Sequence, residues 1–406
     1  MYPKSQDNKR MMEWKTAKEW LEQIDDDPRG TWLLPYQDEL LRVIRHELFD
    51  REVTRHVFDL LVLVSPIFGQ LYLPKSEWRY LIIAAIRQAE KLRYPADRIE
   101  VSAQIFQLLG ADHLYKGKID SARAMFDLAL EHAKRGDSIS ATVAAYTGVF
   151  RLQWFSLQDE FTPEIIRDVL EMADRLSDKR IKIKLYDALA YGCAVMGNIE
   201  SALEYAQMGL AFANVLADDT EKARLALTIG VVYETANVMS GAKHYLERAQ
   251  KLLEYARSLV KSPLISWKDF PFLFQEGVNL HQMGDSRSAE EVLARALAEA
   301  RLLDRVDWIM ATKHALALSK TKLGKYDEAR AHLEEAIAYW REIGNALETA
   351  SALQELGNIE NLSGNRAAAR HYLFEAQTIC QSVAPNPRQE LIMNLIIETI
   401  NEVVVN

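Results

Sequence analysis

The sequence predicts an all-α chain built as a solenoid of antiparallel helix hairpins. Three observations lead there. Gly (17) and Pro (11) are scarce among 406 residues, so turn-rich β architectures and low-complexity linkers fit poorly. Apolar residues recur at helical spacing, as in Ala122, Phe126 and Ala129 at i, i+4 and i+7. Most decisive is a fixed period: Ala289, Leu293 and Ala296 return as Ala329, Leu333 and Ala336, and again as Ala369, Leu373 and Ala376, a step of 40 each time.

The elements follow in chain order. Residues 1–102 are helical by pattern over 37–49, 51–64 and 75–91 but do not hold the repeat frame. They are expected to be degenerate repeats or an N-terminal cap. Residues 103–381 carry the repeats, in units starting at 103, 143, 183, 223, 270, 310 and 350. Gly117, Gly197, Gly284, Gly324 and Gly364 each precede a small residue by five places, where a tight connection between two helices tolerates positive φ. A second recurring set is Phe106, Tyr146 and Tyr186, with Gly110, Gly230 and Gly357 four residues after that aromatic position. Small residues let helix axes approach, and a larger one such as Phe126 or Leu333 fills the space between them. One hairpin cannot bury its own apolar face, so each must stack on its neighbours.

The frame has departures. The unit at 143 lacks the turn glycine and offers Trp154, Phe155 and Phe161 before Thr162-Pro163-Glu164, a helix start with Pro at its first position. An insertion near 259–271, containing Ser262 to Trp267, lengthens one step to 47 and predicts a bend. Residues 382–406 read as a closing helix with Leu391, Asn394, Leu395 and Glu398 along one side, an imperfect apolar stripe.

Composition excludes several functions. The net charge is −9, with no basic segment, so the electrostatic footprint of a nucleic-acid binder is missing. The first residues are polar, without the apolar core of a secretory signal. Apolar runs such as 60–64 are far too short to span a bilayer. A cytoplasmic location without membrane contact is expected. Two cysteines make no disulfide framework or four-cysteine zinc site. Gly110 and Gly117-Lys118 are too far apart for a phosphate loop. Glu52, His56 and His46 read as a solvated helix face rather than a metal site. Asp25-Asp26-Asp27-Pro28 reads as a helix-ending turn. Cys193 reads as a small hydrophobe. No catalytic, cofactor or metal residue is expected, and the chain is not read as an enzyme.

The turn Leu323-Gly324-Lys325-Tyr326-Asp327-Glu328-Ala329, with the small-large-small series after it, resembles the tetratricopeptide repeat. The 40-residue period is similar to the long-repeat class of bacterial multidomain transcription activators, signalling ATPases and kinesin light chains. Arg341-Glu342-Ile343-Gly344-Asn345 is similar to linkers of that class. The resemblance covers roughly 103–381. It implies a right-handed superhelix whose first helices line a concave groove that binds a protein or peptide. Carried over residue by residue, the groove positions are Arg151, Trp154, Lys184, Asp187, Tyr191, Arg224, Phe274, His281, His314 and Asn358, with Glu234, Lys322 and Gln354 in the same set. Gln354 stands where the family's chaperone-tail clamp wants Lys, which argues against that clamp.

Within this set, Arg151, Lys184 and Arg224 fall on three successive first helices. They form either a modest basic strip for an acidic or carboxylate-ended peptide, or pairs with neighbours such as Asp187 that contribute little. Two aromatic groups, Phe150/Trp154/Phe155/Phe161 and Trp267/Phe270/Phe272/Phe274, are read as packing between imperfect repeats, with a partner pocket as the other reading. A scaffold or adaptor is the leading function. A regulatory sensor or peptide-signal receptor acting on a separate effector is the alternative, and an enzyme on the N-terminal helices a distant third. Nothing in the sequence indicates a homo-oligomer.

Overall fold

The computed structural model describes residues 15–26, 36–68, 75–156, 162–259 and 269–405. Nineteen helices and no strand occur among the described residues. The chain divides into two compact units, Met1–Val101 and Ser102–Asn406.

The first unit holds α1 (Ala17–Asp26), α2 (Gln37–Leu48), α3 (Arg55–Phe68) and α4 (Lys75–Ala89), and the division falls inside α5 (Pro95–Tyr115). Trp20, Leu40, Ile44, Leu48 and Phe58 form its buried centre. Glu47 caps the start of α1, accepting from the Ala17 backbone N–H at 2.8 Å. Arg55 ties α3 to α5 through Asp97 and Glu100, at 3.2 and 2.9 Å. Glu52 lies ahead of α3 rather than on it, and Glu52, His46 and His56 are all exposed, as a solvated face requires.

The second unit is a run of hairpins. After α5 come α6 (Ile119–Arg135), α7 (Ile139–Ser156), α8 (Pro163–Asp174), α9 (Lys179–Val195), α10 (Ile199–Val215) and α11 (Asp219–Ser240). They are followed by α12 (His244–Leu259), α13 (Asp269–Met283), α14 (Ser286–Leu302), α15 (Val306–Lys322), α16 (Tyr326–Glu342), α17 (Ala346–Leu362), α18 (Arg366–Gln381) and α19 (Pro387–Val405). Five hairpins close as the repeat frame dictates. Gly117, Gly197, Gly284, Gly324 and Gly364 all take positive φ, between 69° and 95°, at the turns. The links between hairpins use the same left-handed conformation at Asp137, Ala217, Asp304 and Gly344. Ala289, Ala329 and Ala369, the recurring small residues, are fully buried together with Leu293, Leu333 and Leu373.

Close approach of the helices explains the other glycine set. Phe126 of α6 is wedged between Gly110 of α5 and Gly148 of α7, and a methyl group at Gly110 would lie 2.6 Å from its ring. In the irregular unit, Thr162 caps α8 by accepting from the Ile165 backbone N–H, with Pro163 at the first helical position.

α11 runs on to Ser240 and stops at Gly241 with φ +66°, so Ala242 lies in the turn before α12. One expectation needs correction. The buried face of α19 is Ile392, Ile396, Thr399 and Val403, while Leu395 and Glu398 are exposed. The apolar stripe is therefore continuous, displaced by one residue from the one read in sequence.

The hairpin series does more than stack on nearest neighbours. Tyr339 and Trp340 of α16, with Ile343 just after it, pack in one cluster with Leu114, Ile119, Phe126 and Leu152 of α5, α6 and α7. Arg388 at the start of α19 donates its backbone N–H to the Met196 carbonyl, just past α9, at 3.3 Å. Within the second unit, late repeats thus turn back onto early ones.

Candidate functional site

Charged side chains of the first helices α7, α9 and α11 come together. On α9, Lys184, Asp187 and Tyr191 stand at i, i+3 and i+7, one stripe of the helix. Asp187 is the hub of this region. It is ion-paired with Arg224 of α11, lies 3.7 Å from Arg151 of α7, and accepts a hydrogen bond from the Thr228 hydroxyl at 2.8 Å. Arg224 also holds Glu221, donating from Nε at 2.8 Å. Burial pushes the Glu221 carboxyl up, but Arg224 and Lys184 outweigh it and leave it below its ordinary range. Arg151, Lys184 and Arg224 do meet on three successive first helices, with Asp187 and Glu221 among them. Two cations are answered there, and one is left over.

That one is Lys184. It has no hydrogen bond or ion pair among the described residues. It is exposed to solvent. Burial holds its ammonium below the usual lysine range; Glu221 opposes this, and Arg151 and Arg224 reinforce it.

Tyr191 is half-buried on the same stripe of α9. Burial pushes its phenol well up, and the charges it feels belong to Glu348 of α17, Arg388 of α19, Asp307 of α15 and its own helix's Asp187. Glu348 is paired with Arg388 at about the shortest hydrogen-bond distance, 2.5 Å, and lies 3.7 Å from His314 of α15. Burial would raise its carboxyl, but Arg388 and His314 win and bring it down to about 2. Seven residues on, the same face of α17 carries Glu355, which burial pushes up. Its described hydrogen bond is a long one, 3.4 Å, from the Asn358 amide. His281 of α13 shares its Nδ1 with the Ser319 hydroxyl at 3.2 Å, and burial with nearby Lys322 lowers its pKa.

Other sequence-derived positions make different contacts. The Gln354 amide donates to Thr399 of α19 at 3.0 Å, so it serves the closing helix. Glu234 is buried at 6% exposure, between helices. Phe274 stacks on Phe270 (5.6 Å), which stacks on Trp308 (4.1 Å), an aromatic column joining α13 to α15. The side chains of Trp154 and Phe155, and residues Asp27, Pro28, Phe161 and Ser262 to Trp267, lie outside the described residues. Sequence reasoning missed Glu221, Glu348, Glu355 and Arg388. The i, i+7 spacing of Glu348 and Glu355 was the available signal, obscured because the repeat frame starts at 350.

No group of three or more His, Cys, Asp or Glu side chains fit to hold a metal occurs among the described residues. Burial pushes the Cys193 thiol up to about 11, which makes it a poor nucleophile. No described helix is long and apolar enough to cross a membrane.

Residues 308–382, spanning the α15/α16 and α17/α18 hairpins, match the tetratricopeptide repeat family. This segment is made of tetratricopeptide repeats. No curated protein matches the chain. Among solved structures, the chain is similar to a Rap protein complexed with competence and sporulation factor, at 13% identity and a TM-score of 0.45, covering 96% of this chain and 98% of that one. It is similar to a signal transduction ATPase with numerous domains and a tetratricopeptide repeat sensor from Pyrococcus horikoshii, at 14% identity and a TM-score of 0.44, covering 80% of this chain and 52% of that one. The apo form of RapI is similar at 12% identity and a TM-score of 0.40, covering 75% and 84%. Tetratricopeptide-repeat folds typically bind proteins or peptides.

Proposed function

We propose that this protein is a scaffold or adaptor that binds a protein or peptide in the groove lined by α7, α9, α11, α13, α15 and α17. The observation that carries the reading is the division of labour between the two helices of each hairpin. Second helices bury small-large-small series such as Ala329, Leu333 and Ala336. First helices instead hold charged and amide groups, among them Lys184, Asp187, His314 and Asn358, on a face with partial access to water. Burying so many polar groups is unfavourable for folding alone. Backbone N–H and C=O groups of an extended chain are suitable partners for them, and a few side chains suffice as anchors.

The test compares two faces of the same molecule. A photo-crosslinking amino acid is placed at His281 in the groove or at Arg295, exposed on α14, and the chain is recovered from its native source after irradiation. The groove position should capture one discrete partner that the outer position does not. Identical capture at both positions would overturn the assignment.

A further inference from the structure

Several helix pairs of the array close on a glycine. A methyl group at Gly110, Gly277 or Gly357 would lie 2.6, 2.5 and 2.7 Å from Phe126, Leu293 and Leu373, each sixteen residues further on. At Gly230 of α11 the counterpart is Leu246, yet among the described residues the same methyl would meet only the Gln275 amide of α13, at 3.8 Å. The cause is the length of α11. α6, α14 and α18 start nine residues after their glycine, whereas α12 starts fourteen after Gly230, because α11 runs on to Ser240. The side chain that fills the gap elsewhere is carried past it, and a space the size of a methyl group is left beside Gly230.

Buried polar atoms border that space. α11 and α13 lie in a register of 45 residues, shared by the Gly230–Gln275 approach and the Asn237–Gln282 hydrogen bond at 2.9 Å. The same register sets Glu234 opposite Asn279, one helical turn further along. Glu234, Gln275 and Asn279 are 6%, 5% and 1% exposed. Among the described residues, Glu234 Oε1, Gln275 Nε2 and Asn279 Oδ1 are sealed from solvent without a hydrogen-bond partner. Gln275 is the side chain that acts on the Glu234 carboxyl, yet their sealed atoms do not reach hydrogen-bond geometry. Asn279 directs its amide N–H to Gln250 of α12, at 3.0 Å. Two acceptors and one donor thus remain on two facing helices.

We propose that one ordered water sits beside Gly230, donating to Glu234 Oε1 and Asn279 Oδ1 and accepting from Gln275 Nε2. Size and pattern both select it. A methyl-sized space excludes any guest with more than one heavy atom, and the three atoms ask for a guest that donates twice and accepts once. An ammonium ion has the size but no lone pair for Gln275 Nε2. Internal waters typically make about three hydrogen bonds to buried groups of this kind, and leaving such groups unanswered is unfavourable. Through Asn279 and Gln250 the water links α11, α12 and α13, at the step where the repeat spacing stretches to 47 residues. It closes this joint where an apolar side chain closes the others, whatever the groove binds.

The test is Gly230→Ala in the full chain, read by urea melts and by crystal structures of both proteins. In a dry space the new methyl clashes with nothing and replaces a helix-interior glycine, which should raise the folded-to-unfolded ratio about fivefold. With the water in place the methyl evicts it and strands three buried polar atoms, so the ratio should fall at least about tenfold. Wild-type density should show the water within about 3 Å of all three atoms, and the variant should lack it. Gly230→Ala as stable as wild type, or more stable, would overturn the proposal. So would wild-type density in which Gln275 donates directly to Glu234, or in which no water joins the three atoms. Should the variant fail to fold, the wild-type density decides alone.

Discussion

Phe126 fills the gap between α5 and α7 only because Gly110 and Gly148 face its ring. Gly148→Ala should therefore over-pack the contact and cost about 1–3 kcal/mol in a urea melt, and a double variant with Phe126→Leu should recover part of the loss. Ala217 carries the opposite problem. Its φ of +52° is a conformation that side chains resist, at about 1–2 kcal/mol per residue. Ala217→Gly should raise stability by up to about 1 kcal/mol, after the greater freedom of glycine in the unfolded chain is set against it; a lower melting temperature would refute the strain. Glu234 makes stability depend on pH. Burial lifts its carboxyl to about 8 from an unfolded value of 4.5, so the folded chain holds a proton that the unfolded chain releases in that window. Stability should fall as pH rises from 4.5 to 8, by about 1.4 kcal/mol per pH unit at most. Glu234→Gln should flatten this limb and be the more stable protein at pH 8.5. The turn glycines and Gly110 were legible in sequence because a repeat displays the same steric demand many times over, whereas Gly148 stands outside the frame. The strain at Ala217 was not, since nothing in an alanine's identity reports a left-handed backbone.

The stripe of α19 shows how an element can be recognised while its orientation is missed. Its existence was readable from 388–402, but Ile392, Ile396 and Val403 face the last repeat rather than Leu391 and Leu395. Isoleucine and leucine occupy both candidate faces, so periodicity alone gave no phase. The same limit hid other charges. Asp187 and Arg224 stand at positions that the repeat frame singles out, and they pair in the structure. Arg388 lies beyond the frame and reaches Glu348 forty residues earlier. The sequence lists its charge but not its destination. Both partners retain 14–21% side-chain exposure, so Arg388→Ala should cost about 1–3 kcal/mol at pH 7, less than a fully buried pair would. The sign with pH follows from Glu348. Its depressed pKa, about 2 against 4.5 unfolded, contributes stability above pH 4.5 that is lost as pH falls toward 2. The Arg388→Ala chain should show a weaker acid limb in urea melts run from pH 2 to 6, and an unchanged limb would refute the pairing.

Repeat arrays ordinarily hold together through nearest neighbours, and their unfolding can proceed piecemeal. Here α16 also packs on α5, α6 and α7 through Trp340, which is 1% exposed. Trp340→Ala should therefore raise hydrogen exchange in α6 as well as in α16, and faster exchange confined to α16 would show the contact to be idle. The seam has a weakness of its own: among the described residues the Tyr339 hydroxyl and the Trp340 indole N–H are buried without hydrogen-bond partners, each a loss of about 1–3 kcal/mol. Periodicity could not have revealed the seam, since a period records only what each unit shares with the next.

The seam also orders events in time. Hairpins joined by two- or three-residue turns can form from local contacts alone, fast and in any sequence. Joining Trp340 to Phe126 closes a loop of most of the array, and that closure must wait until the intervening hairpins have shortened the chain. Maturation of this protein should thus end with a single late step. The indole of Trp340, passing from water into a dry interface, is its natural reporter.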